Sequence, residues 1–360
     1  MEEVDFDAME EEMEMDGDLE DGELAELKSL SHFARLDTMV TVVDALNVYD
    51  VLSSLETLAE KNIAGMVGND EEKDDRSIAQ LMLDQIEFAN VILLSKVDLV
   101  KDKNALQEIR ALLQKLNPAA KVIVPSKPYF ADVPLSDLIN THMFDMDKAE
   151  SSAGWMQELA KAASEAGHTP ETEEYNISSM VFRSHERPFH PGRLATVLAG
   201  FGSYESGIAA GQRDDGHAEA NVFSGVVRAK GHLWVASANA RPIDLHVAGR
   251  HVQLGASEMP FLAAVPKEEW EDAFHEYHRE LMSAGSWHAS HGDRGSMVVF
   301  IGVGLDKAGI EAELGTALLT DAEMAEGEAS WEALDDPFFA GEYFENHEHL
   351  EEPKFVILEE

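Results

Sequence analysis

The residues with the clearest chemistry are the tetrad Ser95-Lys96-Val97-Asp98. A carboxylate such as Asp98, fixed at a strand end, can accept two hydrogen bonds from the N1–H and 2-amino group of a guanine. The methylene stem of Lys96 can lie along the face of the same base. Ser95 adds one hydroxyl, shorter than an asparagine and without its two-ended contact. The plain alternative is that Lys96 and Asp98 are solvated charges. Ser126-Lys127 forms a second polar pair after another apolar run.

Histidines make up the other chemically capable set. His275 and His278 stand three apart in FHEYH beside Glu276 and Glu280, and His288 and His291 do so in WHASHGD before Asp293. His347 and His349 lie in ENHEHLEE. Histidine and carboxylate ligands suit zinc at about 2.0–2.2 Å. Each group has a plainer reading. His275 and His278 fall on a charged helix face open to water. His347 and His349 sit among acids that bind cations adventitiously. Asp293 and Arg294 are placed to pair or to cap a turn before an apolar strand at 297–303. His190 in RPFHPGRL precedes a proline at a helix start, where it can bond the connecting loop.

These side chains need a scaffold to hold them. Four apolar residues, Val91 to Leu94, bounded by polar signals, read as a buried parallel strand ending at the tetrad. Ligands gather at the carboxyl ends of such strands. Residues 39–43 form a β-branched strand ending in Asp44, and 121–124 another strand before Ser126. Helical periodicity covers 49–61, 77–89 and 104–116, the last stopped by Asn117-Pro118. Alternating strand and helix indicate a doubly wound parallel sheet. From 177 the pattern changes to mixed strands with helices on one side, at 177–183, 221–228, 232–236, two short strands within 244–254, 261–265 and 297–303, with helices at 191–198, 270–283 and 307–318. That is an α+β layer. Residues 355–358 are a short apolar stretch able to dock or to add a strand. Trp155, Trp234 and Trp270 suit core or interdomain anchoring.

The tetrad matches the pattern [N/T]KxD, the guanine-specificity signature of GTPases, here as SKVD. In order along the chain stand LDTMVTVVDA, DQIEFANVILLSKVDLV, LNPAAKVIV, TEEYNISSMVFRSHERPFHPGRL, GVVRAKGHLW and HGDRGSMVVFIG. Together they resemble the CobW family of G3E-type GTPases, in the branch likened to zinc metallochaperones, over about residues 31–330. The resemblance implies GTP binding and hydrolysis coupled to delivery of a divalent metal, usually zinc, to a metalloprotein client. It implies the rear half of a doubly wound, P-loop-type G domain followed by a smaller α+β CobW C-terminal domain. Ser95, Lys96, Asp98 and Ser126 are then the base-contacting residues.

The family's phosphate loop, cysteine-containing switch and magnesium-binding strand should precede residue 36. The sequence holds no GxxxxGK[ST] and no cysteine. The expectation is therefore a metal-homeostasis protein without GTPase activity of its own. The alternatives are an interaction module that binds a client through its C-terminal domain, or a histidine-based metal buffer. The corresponding division is an acidic tail at 1–30, a partial G domain at 31–150, a helix and linker at 151–176, the C-terminal domain at 177–330 and an acidic tail at 331–360. Half a G domain leaves a strand edge unpaired, which invites shielding by the acidic segment or self-association with a second copy.

Charge narrows the partners. Seventy acids against 27 Lys and Arg give a net charge of −43. Such a surface repels phosphate backbones, which argues against nucleic acid, and it favours cationic partners. No apolar run is long enough for a membrane helix. The first 30 residues, with fourteen acids before Lys28, have no apolar core of a secretory leader and little arginine, so the expectation is a cytoplasmic protein.

Overall fold

The computed structural model describes residues 34–54, 77–151, 153–163, 174–201, 221–338 and 356–357. The expected acidic tail at 1–30, the continuation of the first helix to 61, the charged loop after it, the glycine-rich stretch at 202–220 and most of the second acidic tail lie outside these residues.

The first sheet has three parallel strands, β1 (Val40–Asp44), β2 (Val91–Ser95) and β3 (Lys121–Ile123), in that spatial order. β2 is central, and its run Val91–Leu94 is buried on both sides, as an unbroken apolar strand requires. Helix α1 (Val48–Leu52) follows β1. Helix α2 (Ile78–Glu87) starts where the Ser77 hydroxyl accepts the Gln80 amide, and α3 (Lys103–Leu116) where Asp102 accepts that of Asn104. α3 buries one stripe, Ile109, Leu112, Leu113 and Leu116, at helical spacing.

Asn117 ends α3 and locks its neighbours together. Its side-chain amide donates to the carbonyls of Ile86, Glu87 and Ala89, each at 2.9 Å, and its oxygen accepts the amides of Ala119 and Ala120. One buried side chain thus joins the end of α2 to the entry into β3. Two further helices follow, α4 (Met146–Ser151) and α5 (Gly154–Ala163). A side chain at Gly154 would meet the Lys115 carbonyl at 1.9 Å, so only glycine lets α5 lie this close to α3.

The second sheet comprises β4 (Ile177–Ser184), β5 (Val226–Leu233), β6 (Ile243–Ala248), β7 (His251–Ala256), β8 (Ser296–Val303) and β9 (Val356–Ile357). Its order is β4-β8-β5-β6-β7-β9, with every pairing antiparallel. Between these strands come α6 (Pro191–Ala199), α7 (Asp272–Ser283), α8 (Lys307–Thr316), α9 (Asp321–Glu326) and α10 (Glu328–Trp331). The apolar stretch near the C-terminus adds β9 as the last strand.

Two local expectations change. The strands expected at 221–228 and 232–236 are one strand, β5. Gly231 does not break it, because a Cβ there would sit 2.1 Å from the Met297 carbonyl and the bare backbone lets β8 approach. Beyond Leu233 the ladder ends, since the Trp234 amide donates to the Ser296 hydroxyl instead. Residues 261–265 form a 3-10 turn (Leu262–Ala264) rather than a strand. Asp293 accepts the Leu262 and Ala263 amides at 2.7 and 2.9 Å, which removes the donors a ladder would need.

The layers stack as parallel sheet, helices, antiparallel sheet, helices. Leu83 and Ile86 of α2 and Leu112 and Leu116 of α3 share one core with Ile92 and Leu94 on one side and with Val227, Val299 and Ile301 on the other. Each such side chain removed from water contributes about 1.5–3 kcal/mol, so this seam is true core. On the far face of the second sheet, Leu194 and Leu198 of α6 and Ile310 and Leu314 of α8 cover Phe182, Leu245 and Phe300.

One ion pair crosses the seam. Arg228 of β5, 1 % exposed, grips Glu87 of α2, 2 % exposed. The bonds run from Nε to Oε1 at 2.7 Å and from Nη2 to Oε2 at 2.8 Å, with Asp84 Oδ1 a further 3.1 Å from Nη2. This two-pronged geometry suits a guanidinium and not an ammonium. Nearby, the Lys230 ammonium lies 4.5 Å from the centre of the Trp155 ring. Trp155 packs against the core shared by the two sheets.

Candidate functional site at the carboxyl edge of the parallel sheet

Parallel register brings the ends of three strands together. Asp44 stands opposite Ser95, and the β2–β3 pairing ends at Leu93 opposite Ile123, so the loop holding Ser126 leaves from the same edge. The tetrad's first residue turns inward. The Ser95 hydroxyl donates to the Val43 carbonyl at 3.2 Å, and the Ser95 carbonyl accepts the Ala45 amide at 3.0 Å.

Lys96 adopts a left-handed backbone, with φ of 55°. That conformation is unusual for a residue with a Cβ and is characteristic of sharp turns at sites. It sends the ammonium back to Asp44, 2.5 Å from Oδ2. Asp44 also accepts the Asn47 amide at 2.8 Å and the Leu46 backbone amide at 3.0 Å. Partial burial pushes the Asp44 carboxyl up, but the bonds from Lys96, Asn47 and Leu46 outweigh it, and the group is held below the usual carboxylate range. Sequence reasoning placed Asp44 at a strand end without giving it a partner. The usable signal is an acid closing the strand that parallel register sets beside a lysine turn.

Asp98 is exposed and, among the described residues, makes no hydrogen bond or ion pair. Its carboxylate is the open acceptor of the corner. Ser126 differs. Its amide and hydroxyl both donate to Asp132 Oδ2, at 2.8 and 2.6 Å, and the Lys127 amide reaches Oδ1 at 3.2 Å. Those bonds, the Ser126 hydroxyl first, hold Asp132 below the ordinary carboxylate range. Asp132 was not singled out in the sequence, and it is the residue that fixes this loop.

The arrangement presents a lysine stem held at its head by Asp44 and, two positions on, an exposed carboxylate at Asp98.

The histidines fall into separate groups. His275 and His278 on α7 pack against Trp270, with ring centres 5.4 and 5.1 Å away, and His278 meets Trp287 edge-on at 4.4 Å. His288 and His291 stack at 5.0 Å with planes 8° apart, and His291 lies 5.1 Å from Trp234. Among the described residues no group of three or more His, Asp or Glu is arranged to hold a metal. His347 and His349 lie outside them. His190 caps α6, its Nδ1 accepting the Gly192 amide at 3.2 Å. Asp293 caps the 3-10 turn described above, and Arg294 Nε donates to the Asn239 carbonyl at 2.8 Å.

Residues 14–124 match the family model described as CobW/HypB/UreG, nucleotide-binding domain, and residues 177–318 match that of the cobalamin synthesis protein cobW C-terminal domain. The chain is 34% identical over 321 residues to zinc-regulated GTPase metalloprotein activator 1 of Dictyostelium discoideum, covering 89% of this chain and 59% of that one. It is 28% identical over 273 residues to a zinc chaperone of Mycobacterium tuberculosis, covering 76% and 57%. The chain thus spans less than three fifths of the length of these curated relatives. Among solved structures, the zinc-bound YjiA GTPase from E. coli is 16% identical, covering 81% of this chain and 64% of that one at a TM-score of 0.29. No helix among the described residues is long and apolar enough to cross a membrane.

Proposed function

The chain belongs to the CobW family, its two sections matching that family's nucleotide-binding and C-terminal domains in order, and on that premise we propose that it serves zinc handling, reading the guanine of GTP at the SKVD corner while a metalloprotein client is supplied. The relatives' names speak of zinc, of GTPase action and of metalloprotein activation, and that vocabulary supports the choice of cargo and client. In this reading zinc is cargo and GTP is substrate. The observation that carries it is the corner itself, with Lys96 pinned by Asp44 and Asp98 left open beside it.

The division of labour follows from the residues. Asp98 accepts the N1–H and 2-amino group of the base, the Lys96 stem covers its face, and the Ser126 loop, braced by Asp132, closes the far side. Phosphoryl transfer additionally requires a phosphate cradle, a magnesium ligand and a positioned water. The 360 residues contain no GxxxxGK[ST]. We infer that this chain by itself reads the base and does not turn GTP over.

Calorimetric titration with guanosine, xanthosine and GTP tests both statements. Guanosine and GTP are expected to bind in the millimolar range within about threefold of each other, which places the binding energy near 4 kcal/mol at most. Xanthosine, with an acceptor in place of the 2-amino donor, should bind about tenfold more weakly, and Asp98→Asn should reverse that order. Low-micromolar GTP affinity with guanosine far weaker would overturn the base-only reading. Indifference of all three ligands to Asp98→Asn would overturn the corner.

A further inference from the structure

The second sheet holds a cavity of about 490 Å³ on the face turned away from α6 and α8. Its size lies within the roughly 300–1,000 Å³ of small-molecule sites. His232 of β5 and Asp244 of β6 are directly opposed in register, so both side chains stand on one face and form part of its lining. Phe274 and Tyr277 of α7, Met259 and Asp293 contribute to the rest.

Three features mark the cavity as incomplete. First, α7 buries no residue, and Tyr277 and Met259 remain 48 % and 57 % exposed although both line it. A helix laid over a sheet normally loses its apolar stripe to the core, and here that stripe faces open space. Second, the lining carries two carboxylates and no lysine or arginine. Asp293 accepts the Leu262 and Ala263 amides. Third, among the described residues Asp244 accepts a hydrogen bond from the Ser257 side chain. The Lys230 ammonium acts on it from its place over the Trp155 ring. Burial, with a smaller push from Glu258, raises the Asp244 carboxyl and outweighs Lys230 and the Ser257 bond, which draw it down. Burial, followed by the neighbouring His185, likewise keeps His232 uncharged, so the lining does not neutralise itself.

We propose that this cavity binds a small organic cation, a primary amine or guanidinium carried on an aromatic or branched apolar frame. The apolar frame fills the space between Phe274, Met259 and the sheet, and the cationic head meets Asp244 with Asp293 behind it. The net charge of −43 raises the local concentration of such ligands. This site lies on the second sheet, away from the guanine corner, and stands or falls without it.

The test is calorimetric titration of the full chain with phenethylamine, tryptamine and agmatine, using phenethyl alcohol as the uncharged control. At least one amine should bind saturably at one site, about tenfold or more tighter than the alcohol. Asp244→Asn should weaken that amine by about tenfold while leaving the melting midpoint unchanged or higher, since it removes a partly desolvated charge. Ala273→Trp, at an exposed position whose indole would fill the mouth, should abolish binding even if Asp244→Asn proves poorly folded. Failure of all three amines to saturate, equal binding of the alcohol, or unchanged binding in either folded variant overturns the proposal.

Discussion

The two sheets of this protein meet solvent in opposite ways. Among the described residues β1 is an edge of the parallel sheet, and Val40 and Val42 stay 39 % and 54 % exposed on its outer face, with Leu36 and Leu46 exposed beside them. In the antiparallel sheet most residues of the central strands β5 and β8 are buried, and β9 pairs with Gln253 and Leu254 of β7. The chemically open corner stands on the smaller sheet, while the six-stranded sheet packs core on both of its faces. An isolated three-stranded parallel layer would be marginal alone. Here it is backed by α2 and α3, which are themselves seated on the second sheet. The corner's rigidity is thus borrowed from a sheet that contributes no residue to it.

The sharpest way to break that dependence is Arg228→Ala. It removes the guanidinium that grips both oxygens of the buried Glu87 carboxylate, at a cost of about 3–5 kcal/mol. Denaturant unfolding followed by Trp fluorescence and by far-UV dichroism should then split into two transitions, with the parallel layer melting first. A single transition with an unchanged midpoint would mean that the two sheets do not lean on each other. Arg228→Leu with Glu87→Leu should recover most of the loss, because apolar side chains replace the pair without a desolvated charge.

Acid should weaken the antiparallel sheet's inner face next. Burial, then the charges of Lys230 and Arg228, push His246 down from 6.5 to about 3. A histidine kept neutral in the folded protein takes up its proton on unfolding, so its contribution is complete above pH 6.5 and drains away as pH falls towards 3. His232 acts in the same direction, and burial of Asp244 opposes it by favouring the folded state as that carboxyl protonates. Unfolding midpoints measured between pH 7.5 and 4 should fall, and His246→Asn should flatten the slope. An unchanged slope would move the acid sensitivity elsewhere in the molecule.

A smaller effect belongs to His190, whose ring caps α6. His190→Ala should cost about 1 kcal/mol, as loss of a side-chain cap does elsewhere. It should leave guanosine binding untouched, since α6 packs on the face of the second sheet remote from α2. The smallest change is expected at the bare edge. Val42→Thr should alter stability by no more than about 0.5 kcal/mol, as exposed substitutions do. If that edge mediates self-association, the same change should lower the apparent mass in sedimentation at high protein concentration.

Much of the corner was legible in the sequence, because its elements announce themselves locally. Val91–Leu94 is one continuous apolar run, and Ile109, Leu112, Leu113 and Leu116 follow helical spacing. Asp98 could be placed by counting from the strand end. What escaped depends on register and long-range contact. Arg228 and Glu87 lie 141 positions apart, and neither differs locally from a surface charge. Gly231 looks like a strand breaker until β8 is known to pass against it. Phe261–Val265 has strand composition, and only the distant Asp293 shows why its amides bond elsewhere. The histidine spacings were visible, but spacing along a helix does not bring separate pairs to one point, and the rings pack on tryptophans instead.

Asn117 carries a consequence for the molecule's lifetime. Asparagine ages by attack of the following residue's backbone nitrogen on its side-chain carbonyl, which exchanges the amide for an acid. The following residue here is Pro118, whose nitrogen bears no hydrogen and cannot complete that ring closure. The amide that fastens the end of α2 to the start of β3 is therefore placed where the commonest spontaneous route to its loss is chemically shut.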